Sequence, residues 1–297
     1  MTIVQDTTRI VLAGKEPKRK PLPRTPGSWL VLVGKVLAGL LFLVAALFPL
    51  AWMVIAGFKS KTEVIQTPFQ FFPEVWKWQN YVQILADPTF TLTMGWTFLG
   101  AVLFTLLSLT VNSVAAYAFA RLEFRFKRTI WTIVITTMFI PGMTILLTSF
   151  IVVTRLSMLD TLAVLVLPGA ASAATVFFIR QFYLNIPASL EEAAMLDGCG
   201  RLGIFVRIFL PLSKPPFVVM GITSFLAYWN SYVWPIMTIT TPERFVVQQY
   251  LATFRSERST ELGLLMAGSV LAAAPVIILF LIFQRQIIGN IKMAGLK

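Results

Sequence analysis

The chain has 297 residues, of which 57% are apolar and only 13% charged, and it carries a net charge of +12. Soluble domains hold about 25% charged residues, so this balance excludes a soluble enzyme, a disordered chain and a disulfide scaffold, and it points to a membrane protein. With no histidine, and with Cys199 as the single cysteine, His general bases, Ser-His-Asp triads, disulfides and Cys or His metal sites are excluded by inventory, and neither catalytic nor metal-binding residues are expected.

In chain order, residues 1–30 are basic and hold Pro17, Pro21, Pro23 and Pro26, which predicts a disordered cytoplasmic arm. The apolar run that follows is too long for a signal-peptide core of roughly 7–15 residues and is expected to stay as an anchor. About 20 apolar residues cross a bilayer as a helix. Six such runs occur, at 31–57, 92–120, 129–153, 158–180, 213–237 and 263–283, predicting an all-α, polytopic domain of six transmembrane helices over 31–297. The third and fourth are separated so briefly that they form an antiparallel hairpin. Lys and Arg number 17 on the side of the N-terminus and 7 on the other, which places both termini in the cytoplasm. The short stretch Arg121, Arg125, Lys127 and Arg128 is the best single witness.

The outer loop 58–91 holds Pro68, Pro73 and Pro88 with Phe69, Phe71, Phe72, Trp76, Trp78 and Tyr81, and reads as a short amphipathic segment on the outer membrane surface. Pro141-Gly142 predicts a kink in the third span. Met138, Met143 and Met158 read as packing.

The stretch IPASLEEAAMLDGCGRLGIFVRIFLPLSKP at 186–215 is too long for a simple connector. Ser189 with Glu192 has the S-x-x-E spacing of a capping box, LEEAAMLD gives about two turns of good helix formers, and Gly198 suits a left-handed C-terminal residue. So short a helix is marginal alone and needs a surface to pack on. Asp197 stands at the helix end, where the helix dipole disfavours an anion, and a local rule broken in this way hints at function. Pro211 is expected to end the loop and turn the chain into the fifth span.

Glu192-Ala193-Ala194, three residues, Gly198, nine residues, Ile208, one residue and Leu210-Pro211 match the EAA-x3-G-x9-I-x-LP loop of ABC importer permeases. FKSKTEV at 58–64, NSVAAYAFARLEFRFKR at 112–128 and FLAYWNSYVWPI at 225–236 are similar to the carbohydrate-uptake branch, in particular to subunits of the maltose-permease G type. The likeness runs from about residue 36 to the end; Ser231 and the tail GNIKMAGLK depart from the usual pattern. The resemblance implies the type I permease fold in a bacterial or archaeal inner membrane, with Glu191, Glu192, Ala193, Ala194, Asp197 and Gly198 coupling to an ATPase. It implies a second permease chain, as a heterodimer, two ATP-binding subunits and an extracytoplasmic solute-binding protein. No cofactor is expected on this chain, since no phosphate-cradling G-x-x-x-x-G-K-[ST] occurs; ATP and magnesium belong to the partner. The solute implied is a sugar or oligosaccharide, with a glycerol phosphodiester, a polyol or an acidic oligosaccharide as alternatives, and no nucleic acid is expected.

Polar and aromatic side chains within spans nominate a solute path: Asn112, Tyr228, Trp229, Asn230 and Tyr232. Asparagine serves equally as interhelical glue, and the aromatics read more simply as an interfacial belt or a seam with a partner. A secondary transporter would bury ionisable residues at the membrane midplane, which these spans lack almost entirely, and a membrane enzyme finds no paired carboxylates in them.

Overall fold

A computed structural model describes residues 26–255 and 261–294, and every regular element among them is helical. In chain order these are α1 (Pro26–Ala56), α2 (Lys61–Val64), α3 (Gln79–Ala86), α4 (Pro88–Arg121), α5 (Lys127–Thr136) and α6 (Gly142–Arg155). There follow α7 (Leu162–Val166), α8 (Ala173–Leu184), α9 (Ala188–Leu196), α10 (Arg201–Ile204), a π-helical turn over Phe205–Phe209, and α11 (Leu210–Leu212). The last are α12 (Lys214–Trp229), α13 (Val233–Thr238), a 3-10 turn over Pro242–Arg244, α14 (Val247–Ala252) and α15 (Leu262–Ala294), and another 3-10 turn, Thr137–Phe139, follows α5. The expected basic arm lies outside the described residues as far as residue 25, and α1 already begins at Pro26. Of the tail, residues 295–297 also lie outside them.

The chain divides into two units, Met1–Trp52 and Met53–Lys297. In the first, apolar side chains of α1 are exposed along the whole helix, from Trp29 to Leu50, as befits a helix whose solvent is lipid. In the second, α4 is the spine. Its start is fixed by Asp87, whose carboxylate accepts the Thr89 N–H at 2.8 Å, and by Pro88 in the first turn, where a missing N–H costs nothing. Its 34 residues span about 50 Å at 1.5 Å per residue, more than the bilayer core, so both ends reach the interfaces. Its buried residues include Thr93, Thr97, Gly100, Ala101, Ser108, Ser113 and Ala116 beside the larger Phe90, Asn112 and Tyr117, and the small ones let neighbouring backbones approach. At Gly100 the approach is so close that a Cβ would overlap the Tyr228 hydroxyl of α12.

The six apolar runs are not six straight helices. Three helices, α1, α4 and α15, are individually long and apolar enough to cross a membrane. The third run bends by 105° between Lys127–Phe139 and Gly142–Arg155, at Pro141 as expected. The fourth is corrected: it breaks after α7, and residues 167–172 are not helical before α8. A break inside a membrane needs partners for its freed backbone groups, and Asn112 of α4 supplies them, donating to the Ala170 carbonyl at 2.8 Å and accepting the Ser172 N–H at 2.8 Å. The fifth run is interrupted at 230–232 between α12 and α13. Met158 packs on the core, but Met138 and Met143 are exposed, because the 3-10 turn Thr137–Phe139 buries no residue and α6 only Val153.

At the end of α4 marked by Asp87, the far end, the loop 58–91 is more than a surface segment. α3 buries Ile84, the Tyr81 hydroxyl donates to the Val54 carbonyl at 2.9 Å, and Asn80 donates to the Gly57 and Lys59 carbonyls. Gly263 of α15 lies against the same Lys59 carbonyl with no room for a Cβ. Trp76, Trp78 and Tyr81 gather around Phe58 in tilted or edge-on contact, with ring centroids 4.6 to 5.2 Å from it.

Candidate functional site

At the opposite end of α4, α9 stands as the two-and-a-half-turn helix that the sequence predicts, but it starts differently. The expected capping box is not formed: Pro187, extended at φ −57° and ψ 133°, is the N-cap, and Ser189 lies inside the helix with no capping hydrogen bond. Proline's fixed φ favours a helix start, and its carbonyl takes the Leu190 N–H at 3.3 Å. The C-terminus is as predicted. Gly198 has φ +80°, the Cys199 N–H reaches the Ala194 carbonyl at 2.9 Å, and the Gly198 N–H reaches Met195 at 3.0 Å, the paired bonds of a Schellman stop. A Cβ at Gly198 would meet nothing within 4 Å, so glycine is required there by backbone conformation and not by crowding.

The six residues assigned to coupling divide between two faces. Glu192, Ala193, Asp197 and Gly198 are exposed, beside the apolar Leu190, Met195 and Leu196, the last 89% exposed. Ala194 packs inward against the aromatic cluster below. Glu191, only 7% exposed, points into the protein, and both its oxygens face arginines: Oε1 accepts from Arg201 Nη1 at 2.6 Å, and Oε2 lies 3.8 Å from Arg121 Nε. Arg121 is the last residue of α4, and its Nη2 donates to the Tyr183 carbonyl at 2.7 Å and to the Ile186 carbonyl, at the C-terminal end of α8, a favourable place for a cation.

Below α9 lies a layer of aromatic rings. Tyr117 of α4 packs against Phe205 and Phe209 of the π-turn at 5.2 and 4.9 Å, Tyr183 meets Phe209 edge-on at 5.2 Å, and the Arg121 guanidinium sits 5.3 Å over the Phe209 ring. The Tyr117 hydroxyl donates to the Arg201 carbonyl at 3.2 Å, and Ser213 bonds the Tyr183 hydroxyl at 3.2 Å. The π-turn brings Phe205 and Phe209 onto the same ring. Pro211 does not end the loop: it sits in the first turn of α11, and the chain turns by 78° at Ser213 between Arg201–Leu212 and Lys214–Trp229. The segment has folded as one helical arm because proline is tolerated where a new turn begins.

Sequence reasoning singled out neither Arg121 nor Arg201 for this site. Arg121 carried a signal only as one of the charges that set orientation, and its partner Glu191 is 70 positions away.

The solute-path candidates are not brought together. Asn112 is fully buried, and besides the break it donates to the Ser108 carbonyl at 2.7 Å and its hydroxyl at 2.9 Å; every hydrogen-bonding atom of its amide is engaged within the protein. Tyr228 and Trp229 are core residues and not an interfacial belt: Trp229 stacks on Phe225 at 5.5 Å and donates to the Ala272 carbonyl at 3.2 Å. Among the described residues the buried Tyr228 hydroxyl meets no hydrogen-bonding group, and both side chains turn inward because α12 packs along α4 and α15. Asn230 and Tyr232 are exposed where the helix breaks. A 180 Å³ cavity there is lined by Phe104, Pro168, Tyr228, Ser231 and Trp234 among others, and Trp234 donates to the Val164 carbonyl at 2.9 Å.

The far end carries a second carboxylate anchor. Asp160, in a left-handed conformation at φ 56°, accepts the Thr240 and Thr241 N–H groups at 2.8 and 2.9 Å and the Thr240 hydroxyl at 2.6 Å. Its own N–H reaches the Thr238 carbonyl at 2.9 Å, and Arg244 donates to its carbonyl. The Thr240 hydroxyl and the two amides hold its carboxyl down to a pKa of about 2. Among the described residues no group of three or more His, Cys, Asp and Glu is placed to hold a metal.

Comparison with known proteins locates this geometry. Residues 108–292 match the family described as binding-protein-dependent transport system inner membrane component. The arabinooligosaccharides transport system permease protein of Halalkalibacterium halodurans is 31% identical over 287 residues, covering 94% of this chain and 99% of that protein. A chain of a bacterial ABC transporter involved in the import of the acidic polysaccharide alginate superposes with a TM-score of 0.77 at 25% identity, over 90% of this chain and 99% of that one. A chain of a bacterial alginate ABC transporter, solved in complex with an alginate pentasaccharide-bound periplasmic protein, superposes at 0.62 with 15% identity, over 88% and 96% of the two chains.

Proposed function

The chain belongs to the binding-protein-dependent transport system inner membrane components, and from that premise we propose that it forms half of the translocation pore of an ATP-driven oligosaccharide importer. It is a multi-pass inner-membrane protein. The observation that carries the proposal is α9: a short helix, closed by Gly198, that turns Glu192, Ala193, Leu196 and Asp197 outward while Glu191 ties it to the spans. The outward face docks on an ATP-hydrolysing subunit, and the excess of Lys and Arg at the α9 end puts that face in the cytoplasm. Two such subunits supply ATP and magnesium chemistry; this chain contributes conduction and coupling and no reaction of its own. A second permease chain completes the pore, and an extracytoplasmic solute-binding protein delivers solute at the Asp160 end.

An oligosaccharide is the solute class favoured, since the similar chains named above serve arabinooligosaccharides and alginate. Asn230 and Tyr232 are the path candidates left exposed on this chain, while Asn112, Tyr228 and Trp229 shape the bundle around them. The test is to solubilise the native membrane gently, pull on a tag at this chain and identify what accompanies it by mass spectrometry. A P-loop ATPase, a second permease and a solute-binding protein are expected, and sugar screening of that binding protein then gives the solute. Recovery of the chain alone, under conditions that keep other such complexes whole, would overturn the assignment.

A further inference from the structure

We propose that Arg121 is a positioning residue for coupling: through Glu191 it fastens the docking helix α9 to the end of α4, so that displacement of α9 becomes displacement of the spans. The inference rests on the reading of α9 given above and adds the means of transmission. A nine-residue helix is too short to hold itself in water, so what it transmits depends on what grips it. Four segments meet at Arg121. Its guanidinium takes the Tyr183 and Ile186 carbonyls, faces Glu191, and lies over the Phe209 ring, while it is itself the last turn of α4.

On the other side Glu191 holds Arg201 at 2.6 Å, and the Arg201 carbonyl returns to α4 through the Tyr117 hydroxyl at 3.2 Å. The result is a closed circuit from α4 to α9, to α10 and back to α4. Apolar contacts alone, such as Ala194 on the aromatic layer, allow a helix to slide or turn. A buried carboxylate that accepts a hydrogen bond from Arg201 at 2.6 Å on one oxygen, and whose other oxygen lies 3.8 Å from an Arg121 Nε that has no hydrogen-bond partner among the described residues, does so only at a cost, because rotation of α9 withdraws the charge from both cations. Arg201 is the more exposed of the two cations, with half of its side chain in solvent, whereas Arg121 is 13% exposed, so the grip on the spans is Arg121.

The test uses the whole complex, purified through a tag on this chain, with ATP hydrolysis measured with and without its solute-binding protein. The stimulation ratio reads coupling across the spans, and the amount of co-purified ATPase reads assembly. Arg121→Gln and Glu191→Gln are expected to assemble while the ratio falls by about fivefold or more, the size of ordinary coupling effects. Arg121→Lys, which keeps the charge but loses the fork, is expected between them and wild type. A second readout needs no ATPase: nitroxides on the exposed Ser189 and Arg128, in a Cys199→Ser background, should give one narrow distance in the parent chain and a broad one with Glu191→Gln. An unchanged ratio in both single variants overturns the proposal, as does an unchanged narrow distance. Failure of every variant to assemble would also overturn it, by making the cluster a folding element only. If the unaltered chain brings down no ATPase, the docking assignment fails instead, and the label distance still decides whether Arg121 and Glu191 hold α9.

Discussion

Glu191 at one end of the bundle and Asp160 at the other are both carboxylates that join one segment to another, yet their surroundings differ. Glu191 is buried and faces two guanidinium groups, whereas the half-exposed Asp160 accepts two backbone N–H groups and a threonine hydroxyl. A charged partner on a side chain is lost when either side chain is replaced. Backbone donors survive any substitution at Thr240 and Thr241 short of proline, and only the Thr240 hydroxyl is a side-chain contribution. The bundle thus uses charge pairing where a helix must carry force and amide pairing where a loop need only keep its shape.

The largest expected break in this contrast is at Gly198. Gly198→Val puts a β-branched residue at φ +80°, costing roughly 1–2 kcal/mol or more, and should unwind the stop of α9 and abolish solute uptake while the chain remains in the membrane. Gly198→Asn, which tolerates this conformation, should keep most of the uptake; equal damage from both would remove the conformational argument. Next is Asn112→Leu, which strands the Ala170 carbonyl and the Ser172 N–H. A loss of about 2 kcal/mol is expected, seen as a lower Tm of the purified complex, because stranded backbone groups in a dry interior cost about 1–3 kcal/mol each before relaxation; an unchanged Tm would mean the break is satisfied by other means.

Comparable for its first member and smaller for its second is the pair Gly100→Ala and Tyr228→Phe. The first overpacks the seam between α4 and α12 and should lower stability by about 1–3 kcal/mol. The second removes a buried hydroxyl without a partner and should be neutral or slightly stabilising in the same melt. A fall in uptake with Tyr228→Phe, at normal stability, would instead place that hydroxyl in contact with solute.

The smallest effect concerns pH. The folded Asp160 carboxyl is depressed to about 2, below its unfolded value, so its contribution is complete above about pH 4 and is lost as pH falls through about 2. Between pH 5 and 8 the far-end latch should therefore add no slope to stability, and Asp160→Asn should leave that pH profile flat; a slope that vanished in the variant would contradict the assignment.

What could be read in the sequence was what a single residue type dictates. Gly198 was legible because a helix that stops on a left-handed residue asks for glycine, and Pro141 because a proline inside an apolar run bends it. The membrane class followed from composition alone. Ser189 misled: its spacing to Glu192 suits a capping box, but Pro187 starts the helix two residues earlier. Which of Glu191 and Glu192 faces inward was not legible, since adjacent helical residues point about 100° apart and the choice shows only in the fold, where Glu191 faces Arg201 and also Arg121, 70 positions away. The break at 167–172 does carry a local signal, Pro168-Gly169, the dipeptide that also marks the bend of the third run, and Gly169 takes φ +81°. What the local sequence does not show is the residue that satisfies the break, Asn112, which lies on another helix.

That asparagine also constrains how the protein moves. With one side-chain amide bonded to both sides of the gap between α7 and α8, α4 cannot separate from that segment without losing both bonds together in a medium that offers no water to replace them. These elements therefore travel as one piece through the transport cycle. Any sliding seam has to run elsewhere, and the flank of α5 and α6, which keeps only Val153 inside, carries no such bond across a break.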